Sequence, residues 1–317
     1  MSLSVTFLGT AASRPTVERG TSSLALTREG ETLLFDCGEG TQRQMMRYGV
    51  TFALDDIFIT HWHHDHFLGI AGLIRTLALN ERREPLRIWG PRGGQRIVTQ
   101  MEQLGHDRLT FPIEVTELQD GDALRRDAYT LRAFAVQHRG ATALGFALVE
   151  DTRLGRFDPE HARALGIPEG PLWGRIHRGE SITLADGRTV RPDELVGPTR
   201  PGRTVVYTGD TRPCAATIDA ALGADLLVHE ATFGDEEADR ARETGHSTAR
   251  EAAQVAAGAG VRRLLLTHVS ARYSWNTSEL EREAREVFAA TTYARDGGVY
   301  DVPFHEVATS PVAPLPT

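Results

Sequence analysis

The sequence predicts an α/β fold, an αββα sandwich of two sheets with one inserted segment, and three observations carry that prediction. Apolar or β-branched runs recur along the chain. Several end in a histidine or aspartate: 56–60 before His61, 129–136 before His138, 204–208 before Asp210 and 263–267 before His268. Such residues at strand ends in both halves suit two facing sheets, since open α/β folds place their sites beyond the carboxyl ends of strands. Finally, residues 152–202 change character, with eight glycines and six of the 15 prolines. That stretch is long for a structureless loop inside a compact domain, which marks it as a functional insertion or a linker.

The elements follow in order. Residues 3–8 alternate toward Gly9-Thr10, and 24–26 and 32–36 flank Arg28-Glu29-Gly30, which predicts opening strands joined by a hairpin turn. A loop at 13–20 lies between them. Asp36-Cys37-Gly38-Glu39-Gly40-Thr41 closes a strand and opens a helix through Tyr48. The run 56–60 reads as a buried parallel strand. Gly69, Gly72 and the spacing of Leu68, Leu73, Ile74 and Leu77 then predict a helix. Strands are expected at 86–89, 113–118 and 129–136, around a helix near 97–104. Inside 152–202 only a turn at 159–165 and a hairpin at 182–190 around Asp186-Gly187 stand out. Strands follow at 204–208 and 225–229. Gly245-His246-Ser247-Thr248 opens a helix through Gly258, with Ser247 or Thr248 as its cap. A strand at 263–267, a helix at 278–288 and a short strand at 299–302 complete the fold. The expected organisation is therefore a first half, 1–151, an inserted arm, 152–202, a second half, 203–307, and a disordered Pro-rich tail, 308–317.

Composition narrows the function. With 317 residues, 40% hydrophobic and 25% charged, the chain can bury a sizeable core. No apolar run reaches the roughly 18 residues of a membrane span, and the N-terminus does not resemble a signal peptide. Two cysteines imply no disulfide framework. A cytoplasmic enzyme is the expectation. The net charge of −8 runs against nucleic-acid binding, but bound divalent cations add charge that a formal count omits. All 35 basic residues are arginine, whose fork binds phosphate bidentately. Within 152–202, eight arginines meet seven acidic residues, so the arm is less acidic than the body.

The strongest chemical signal is His61-Trp62-His63-His64-Asp65-His66. Four of the 12 histidines fall within six residues, more than a solvated loop requires. Imidazole suits zinc, and a carboxylate adds a hard oxygen ligand. In the pattern His61-x-His63-x-Asp65-His66, alternating residues can serve two neighbouring metal positions. A further histidine or aspartate at each of 138, 210 and 268 brings the candidate ligands to seven.

This turn resembles the signature of the metallo-β-lactamase fold. The longer string from His61 through Gly69, with Ile70-Ala71-Gly72-Leu73 behind it, resembles ribonuclease Z, the transfer-RNA 3′-processing endonuclease. The likeness spans nearly the whole chain. It includes the Asp36–Thr41 turn, Gly170-Pro171 at the tip of a protruding arm, His229-Glu230-Ala231-Thr232, Gly245-His246-Ser247-Thr248, and His268-x-Ser270-x-Arg272-Tyr273. The resemblance implies two zinc ions per chain, one on His61, His63 and His138 and one on Asp65, His66 and His268, with Asp210 bridging. It also implies that Asp65 handles the attacking water, that Glu230 and His246 assist the leaving group, and that Arg19, Arg272, Tyr273, Gly170 and Pro171 meet the RNA. The implied substrate is precursor tRNA, cleaved to leave a 3′-hydroxyl, and the implied assembly is a homodimer of the short form.

The match has gaps. Pro15 and Arg19 fit the family's Pro-x-Lys-x-Arg-Asn loop, but Val17 and Gly20 do not. His64 stands where the family usually has glycine and is expected to point to solvent. Asp36 either bonds a ligand imidazole or caps the next turn, and Arg139 could meet phosphate. Two alternatives remain in view. Other metallo-β-lactamase-fold hydrolases, acting on thioesters, lactones or small phosphodiesters, share the His61 turn but not the arm or the later motifs. A non-catalytic RNA-binding relative is expected to have lost ligands, and none is lost here.

Overall fold

The computed structural model describes residues 2–106 and 108–305, so the tail at 308–317 lies outside the described residues. The chain forms two compact units. Among the described residues, one is built from 2–149 and 204–303, the other from 150–203 and 304–305.

The first part of the larger unit runs through β1 (Leu3–Gly9), β2 (Ser23–Arg28), β3 (Glu31–Phe35), α1 (Thr41–Tyr48), β4 (Asp56–Phe58), α2 (His64–Phe67), α3 (Gly69–Leu79), β5 (Leu86–Gly90), α4 (Gly94–Glu102), β6 (Ile113–Glu117), β7 (Ala123–Arg125), β8 (Tyr129–Ala135) and β9 (Leu144–Glu150). The smaller unit then supplies α5 (Pro159–Ala164), α6 (Pro171–His177), β10 (Ile182–Thr183), β11 (Thr189–Val190) and α7 (Pro192–Leu195). The larger unit resumes with β12 (Thr204–Tyr207), α8 (Ala215–Ala220), β13 (Leu226–Glu230), α9 (Ala238–Thr244), α10 (Ala249–Ala259), β14 (Leu264–Thr267), α11 (Ser278–Arg285), β15 (Thr291–Tyr293) and β16 (Val299–Asp301).

Two seven-stranded sheets result, in the orders β16-β1-β2-β3-β4-β5-β6 and β15-β14-β13-β12-β9-β8-β7. In the first, β3 to β6 are parallel; in the second, β12 to β15 are. The β2–β3 hairpin turns on Glu29 and Gly30, both at positive φ, the geometry a two-residue hairpin turn prefers. Side chains alternate across each strand, so Leu33, Phe35, Phe58, Phe146, Val205 and Val228 fill one core between the sheets. Two further cores form where helices cover the outer faces. Ile70, Leu73, Ile74 and Leu77 of α3 pack on the first sheet, and the alanines of α10 on the second. This is the expected αββα sandwich.

The smaller unit contains the expected hairpin, as β10 and β11, but is otherwise more ordered than the irregular stretch with one short turn at 159–165 that was expected. Ala162, Ile167, Ile176, Ile182, Val190 and Leu195 are buried together, with Phe157 and Trp173 packed beside them. Each element carries only one or two of these residues, too few to register as periodicity. Glu150 and Arg203 close the unit with a buried ion pair, in which Arg203 donates to the carboxylate from Nε at 2.7 Å and Nη2 at 2.8 Å. Strand β9 was also missed. Its pattern is apolar at nearly every position because both of its faces are covered, so the expected alternation is absent.

Candidate metal centre

The parallel strands β4, β12, β13 and β14 end on one side of the larger unit, and the turns beyond them carry the site. Two glycines make those turns possible. Gly209 precedes Asp210 with φ of 59°, and a Cβ there would lie 2.6 Å from Thr60 Cβ. A Cβ on Gly69 would meet the Gly38 carbonyl at 2.0 Å, so only glycine lets the start of α3 rest on the Cys37-Gly38 turn. Asp36 and His268 are non-glycine residues with left-handed backbone, at φ of 55° and 61°. Such strain concentrates at functional sites.

The hydrogen bonds around the histidines fix their tautomers, and every fixed lone pair points inward. His66 Nδ1 donates to Asp36 Oδ2 at 2.8 Å, so in the neutral imidazole Nε2 carries the lone pair. Thr232 Oγ1 donates to Glu230 Oε2 at 2.8 Å, so it accepts from His268 Nδ1 at 2.9 Å, and His268 Nε2 is also a lone pair. His138 Nδ1 donates to the Gly245 carbonyl at 3.0 Å. Thr60 Oγ1, which donates to Asp36, accepts from His61 Nδ1 at 3.1 Å. The freed nitrogens then face one another or a carboxylate. His66 Nε2 and His268 Nε2 are 3.4 Å apart, and His138 Nε2 lies 3.0 Å from His63 Nδ1. Asp210 reaches His66 Nε2 at 3.3 Å through Oδ2 and His268 Nε2 at 3.2 Å through Oδ1. Asp65 Oδ2 lies 3.3 Å from His268 Nε2.

Lone pairs facing each other in a buried site are unfavourable unless a cation lies between them. Two buried atoms, His61 Nε2 and Asp210 Oδ1, have no hydrogen-bond partner. The ligand atoms fall into overlapping groups, including His61-His63-His138, His61-His66-Asp210 and Asp65-His66-His268, each within 4.8 Å. The residues therefore fit a bound divalent metal, and Asp210 belongs to both the His61-His66-Asp210 and the His138-Asp210-His246 groups. Protonation agrees in part. Burial and the neighbouring His66 press His61 well below its ordinary pKa, and burial with His138 lowers His63. For Asp65 and Asp210 burial opposes the charge, but nearby imidazoles outweigh it and hold both carboxyls below the usual range. His66 goes the other way. Burial opposes its charge, yet Asp210, Asp36 and Asp65 raise it well above its ordinary value when no cation competes for them.

At the rim, His246 Nδ1 donates to Glu230 Oε1 at 2.8 Å, and Arg212 holds the His246 carbonyl at 2.6 Å. Glu230 is wholly buried and also accepts from the backbone of Thr211, Thr232 and Ser247. Burial opposes charging His246, but the Glu230 carboxylate outweighs it and raises the imidazole to about 9. His138, Asp210 and His246 also group within 4.8 Å, so this pair borders the ligand cluster.

Other candidates fall elsewhere. Asp36 is a positioning residue, since it accepts from His66, Thr60 and Tyr207, whereas α1 has Gly40 at its start and no side-chain cap. Arg19 is buried, and its guanidinium donates to Thr10 Oγ1 and to the carbonyls of Ser274 and Ala294. It pins loops within the fold and presents no free fork to a phosphate. Arg272 pairs with Glu237, and Tyr273 donates to Glu236 and Glu237. Arg139 donates to the Glu243 carbonyl. Gly170 and Pro171 begin α6 in the smaller unit. His64 is exposed, as expected, and its Nε2 also donates to the Ser13 carbonyl at 2.7 Å. Sequence reasoning missed Thr60, Thr232, Tyr207 and Ser13, which set the ligand orientations. Thr60 adjoins one of the motifs that were noticed, and Thr232 ends another. Tyr207 and Ser13 carry no sequence signal.

Comparison with known proteins agrees with this geometry. The model described as a beta-lactamase superfamily domain matches residues 194–269, and that of the anti-Pycsar protein Apyc1 matches 3–154. The chain is 64% identical to the ribonuclease Z of Gemmatimonas aurantiaca, covering 94% of this chain and 95% of that one. It is 52% identical to the ribonuclease Z of Myxococcus xanthus, covering 96% and 99%. Among solved structures, the short form of human tRNase Z superposes with a TM-score of 0.70 at 30% identity, covering 95% of this chain and all of that one. The chain belongs to the ribonuclease Z family, the metallo-β-lactamase-fold endoribonucleases of tRNA 3′ processing.

Proposed function

We propose that this chain is a two-zinc endoribonuclease that removes the 3′ trailer of precursor tRNA, leaving a 3′-hydroxyl on the tRNA and a 5′-phosphate on the trailer. The observation that carries the proposal is the convergence of His61, His63, Asp65, His66, His138, Asp210 and His268 beside the Glu230–His246 pair. Five imidazoles with two carboxylates suit zinc better than a hard cation. Two such ions would supply charge to the attacking and leaving oxygens of an in-line displacement and lower the pKa of the attacking water.

The chain's own residues do the rest. Asp65 Oδ2 is held by the Ser13 N–H at 2.6 Å, so its carboxylate is aimed to orient the water and take its proton. Attack makes a new P–O bond and breaks the bond from phosphorus to the 3′-oxygen of the tRNA. That oxygen needs a proton to leave as a hydroxyl. His246 supplies it, entering the step protonated because Glu230 favours the imidazolium. The smaller unit, 150–203, is the segment proposed to hold the body of the tRNA, with Gly170 and Pro171 among its contacts and Arg272 and Tyr273 nearer the chemistry.

The family resemblance also supports a homodimer and a cytoplasmic location. No helix among the described residues is long and apolar enough to cross a membrane. Elemental analysis of the purified protein tests the metal reading, with about two divalent ions per chain and loss of activity on chelation as the expected result. One ion per chain, with activity unchanged in His268→Ala, would contradict it.

A further inference from the structure

His64 is the one histidine of the His61–His66 turn outside the ligand groups, and it is not idle. Its Nε2 donates to the Ser13 carbonyl at 2.7 Å, while the Ser13 N–H donates to Asp65 Oδ2 at 2.6 Å. The two bonds act on one residue from both sides, and that residue is strained. Ser13 has φ of 61°, a left-handed conformation uncommon outside glycine. A non-glycine residue is disfavoured there and holds the conformation only when its surroundings enforce it.

The neighbouring chain supplies part of that enforcement. Ala12 donates to the Val269 carbonyl at 2.9 Å and Ala11 to the Gly20 carbonyl at 2.8 Å, which anchors the loop up to Ala12. Beyond it, Arg14 donates only to Ala12 at 2.7 Å, and Ser13, Arg14 and Pro15 are exposed. From outside the loop two side chains hold Ser13: Asp65 accepts from its N–H, and His64 donates to its carbonyl.

We propose that His64 is a positioning residue: by gripping the Ser13 carbonyl it keeps the Ser13 N–H aimed at Asp65 and so fixes the carboxylate that serves the second ligand group. The proposal rests on Asp65 being a ligand. Positioning bonds of this kind typically change metal affinity about 10- to 100-fold.

The test compares His64→Ala with His64→Gln, whose amide nitrogen can reach the same carbonyl, and with Asp65→Ala as a reference. Three readings are taken on folded protein with matched thermal midpoints: amide exchange at Ser13, metal retained against a graded chelator, and kcat on bis(p-nitrophenyl) phosphate. In His64→Ala the Ser13 amide should exchange faster, about half the metal should be lost at 10-fold lower chelator, and kcat should fall. His64→Gln should restore all three toward the wild type. Unchanged exchange and metal retention in His64→Ala, while Asp65→Ala loses metal, would overturn the inference and leave the ligand assignment standing. If Asp65→Ala also retained its metal, the ligand assignment itself would fail. Equal losses in the alanine and glutamine variants would show that His64 acts by bulk rather than through its bond.

Discussion

Asp36 Oδ2 accepts a hydrogen bond from His66 Nδ1 at 2.8 Å and another from Tyr207, also at 2.8 Å. The carboxylate thus links the first sheet, through Thr60, to the second, through Tyr207, and orients a metal-site imidazole between them. Tyr207 belongs to the core between the sheets, where its ring meets Phe35 edge-on. Core packing and ligand orientation are therefore one construction.

Asp36→Asn should weaken metal retention about 10- to 100-fold, because an amide cannot accept from His66, Thr60 and Tyr207 together. Chelator competition, with circular dichroism to confirm folding, measures this. Retention equal to the wild type would remove Asp36 from the account.

Glu230 and His246 should behave as a unit. Each single alanine substitution is expected to slow RNA cleavage on the order of 10²–10⁴-fold, and the double variant should be little worse than the poorer single. A p-nitrophenolate leaving group needs little protonation, so its release should be largely spared. Additive losses would indicate two separate structural roles.

How much of this was legible in the sequence follows from where the information lies. The seven candidate ligands stand in or beside runs of apolar residues, so strand ends and chemistry could be read together. His64 is exposed as its sequence context suggests, but its bond to Ser13 was illegible, because that partner is 51 residues away and a carbonyl has no sequence signature. Arg19 did mislead. The motif suggested a phosphate contact, but the guanidinium is buried against carbonyls from Ser274 and Ala294, over 250 positions distant. The smaller unit was unreadable because its core is assembled from single residues on short elements.

Stability should show an acid-sensitive contribution from Asp56. Burial opposes its charge, but hydrogen bonds from Arg87 (Nε at 2.8 Å and Nη2 at 2.7 Å) and from Trp89, with Arg126 nearby, hold its pKa below the ordinary value. A lowered carboxylate stabilises the fold fully above its unfolded pKa of about 3.9 and loses that contribution as pH falls through the folded value. Asp56→Asn should cost about 3 kcal/mol at pH 7, and the difference from wild type should shrink below pH 4. Urea unfolding of the metal-free proteins at both pH values checks this, and a pH-independent difference would contradict it.

Replacing 152–202 with a short Gly/Ser linker should separate RNA binding from chemistry. Val149 and Thr204 are paired across β9 and β12, so their ends are already adjacent and a short bridge closes them without strain. No candidate ligand lies in the deleted span. Hydrolysis of bis(p-nitrophenyl) phosphate should stay within a few-fold. Precursor-tRNA cleavage should fall through weaker binding, with a shallower salt dependence, because remote phosphate contacts dominate nucleic-acid affinity. Survival of tRNA cleavage would show that the smaller unit does not hold the substrate.

The most direct test of the account is to incubate the metal-loaded protein with a 3′-extended precursor tRNA and map both new ends. The account predicts a single endonucleolytic cut at the trailer junction, a 3′-hydroxyl on the tRNA and a 5′-phosphate on the trailer, with the activity abolished by chelation and by Asp65→Ala. A 2′,3′-cyclic phosphate on the tRNA product, or an intact precursor under conditions where bis(p-nitrophenyl) phosphate is turned over, would contradict it.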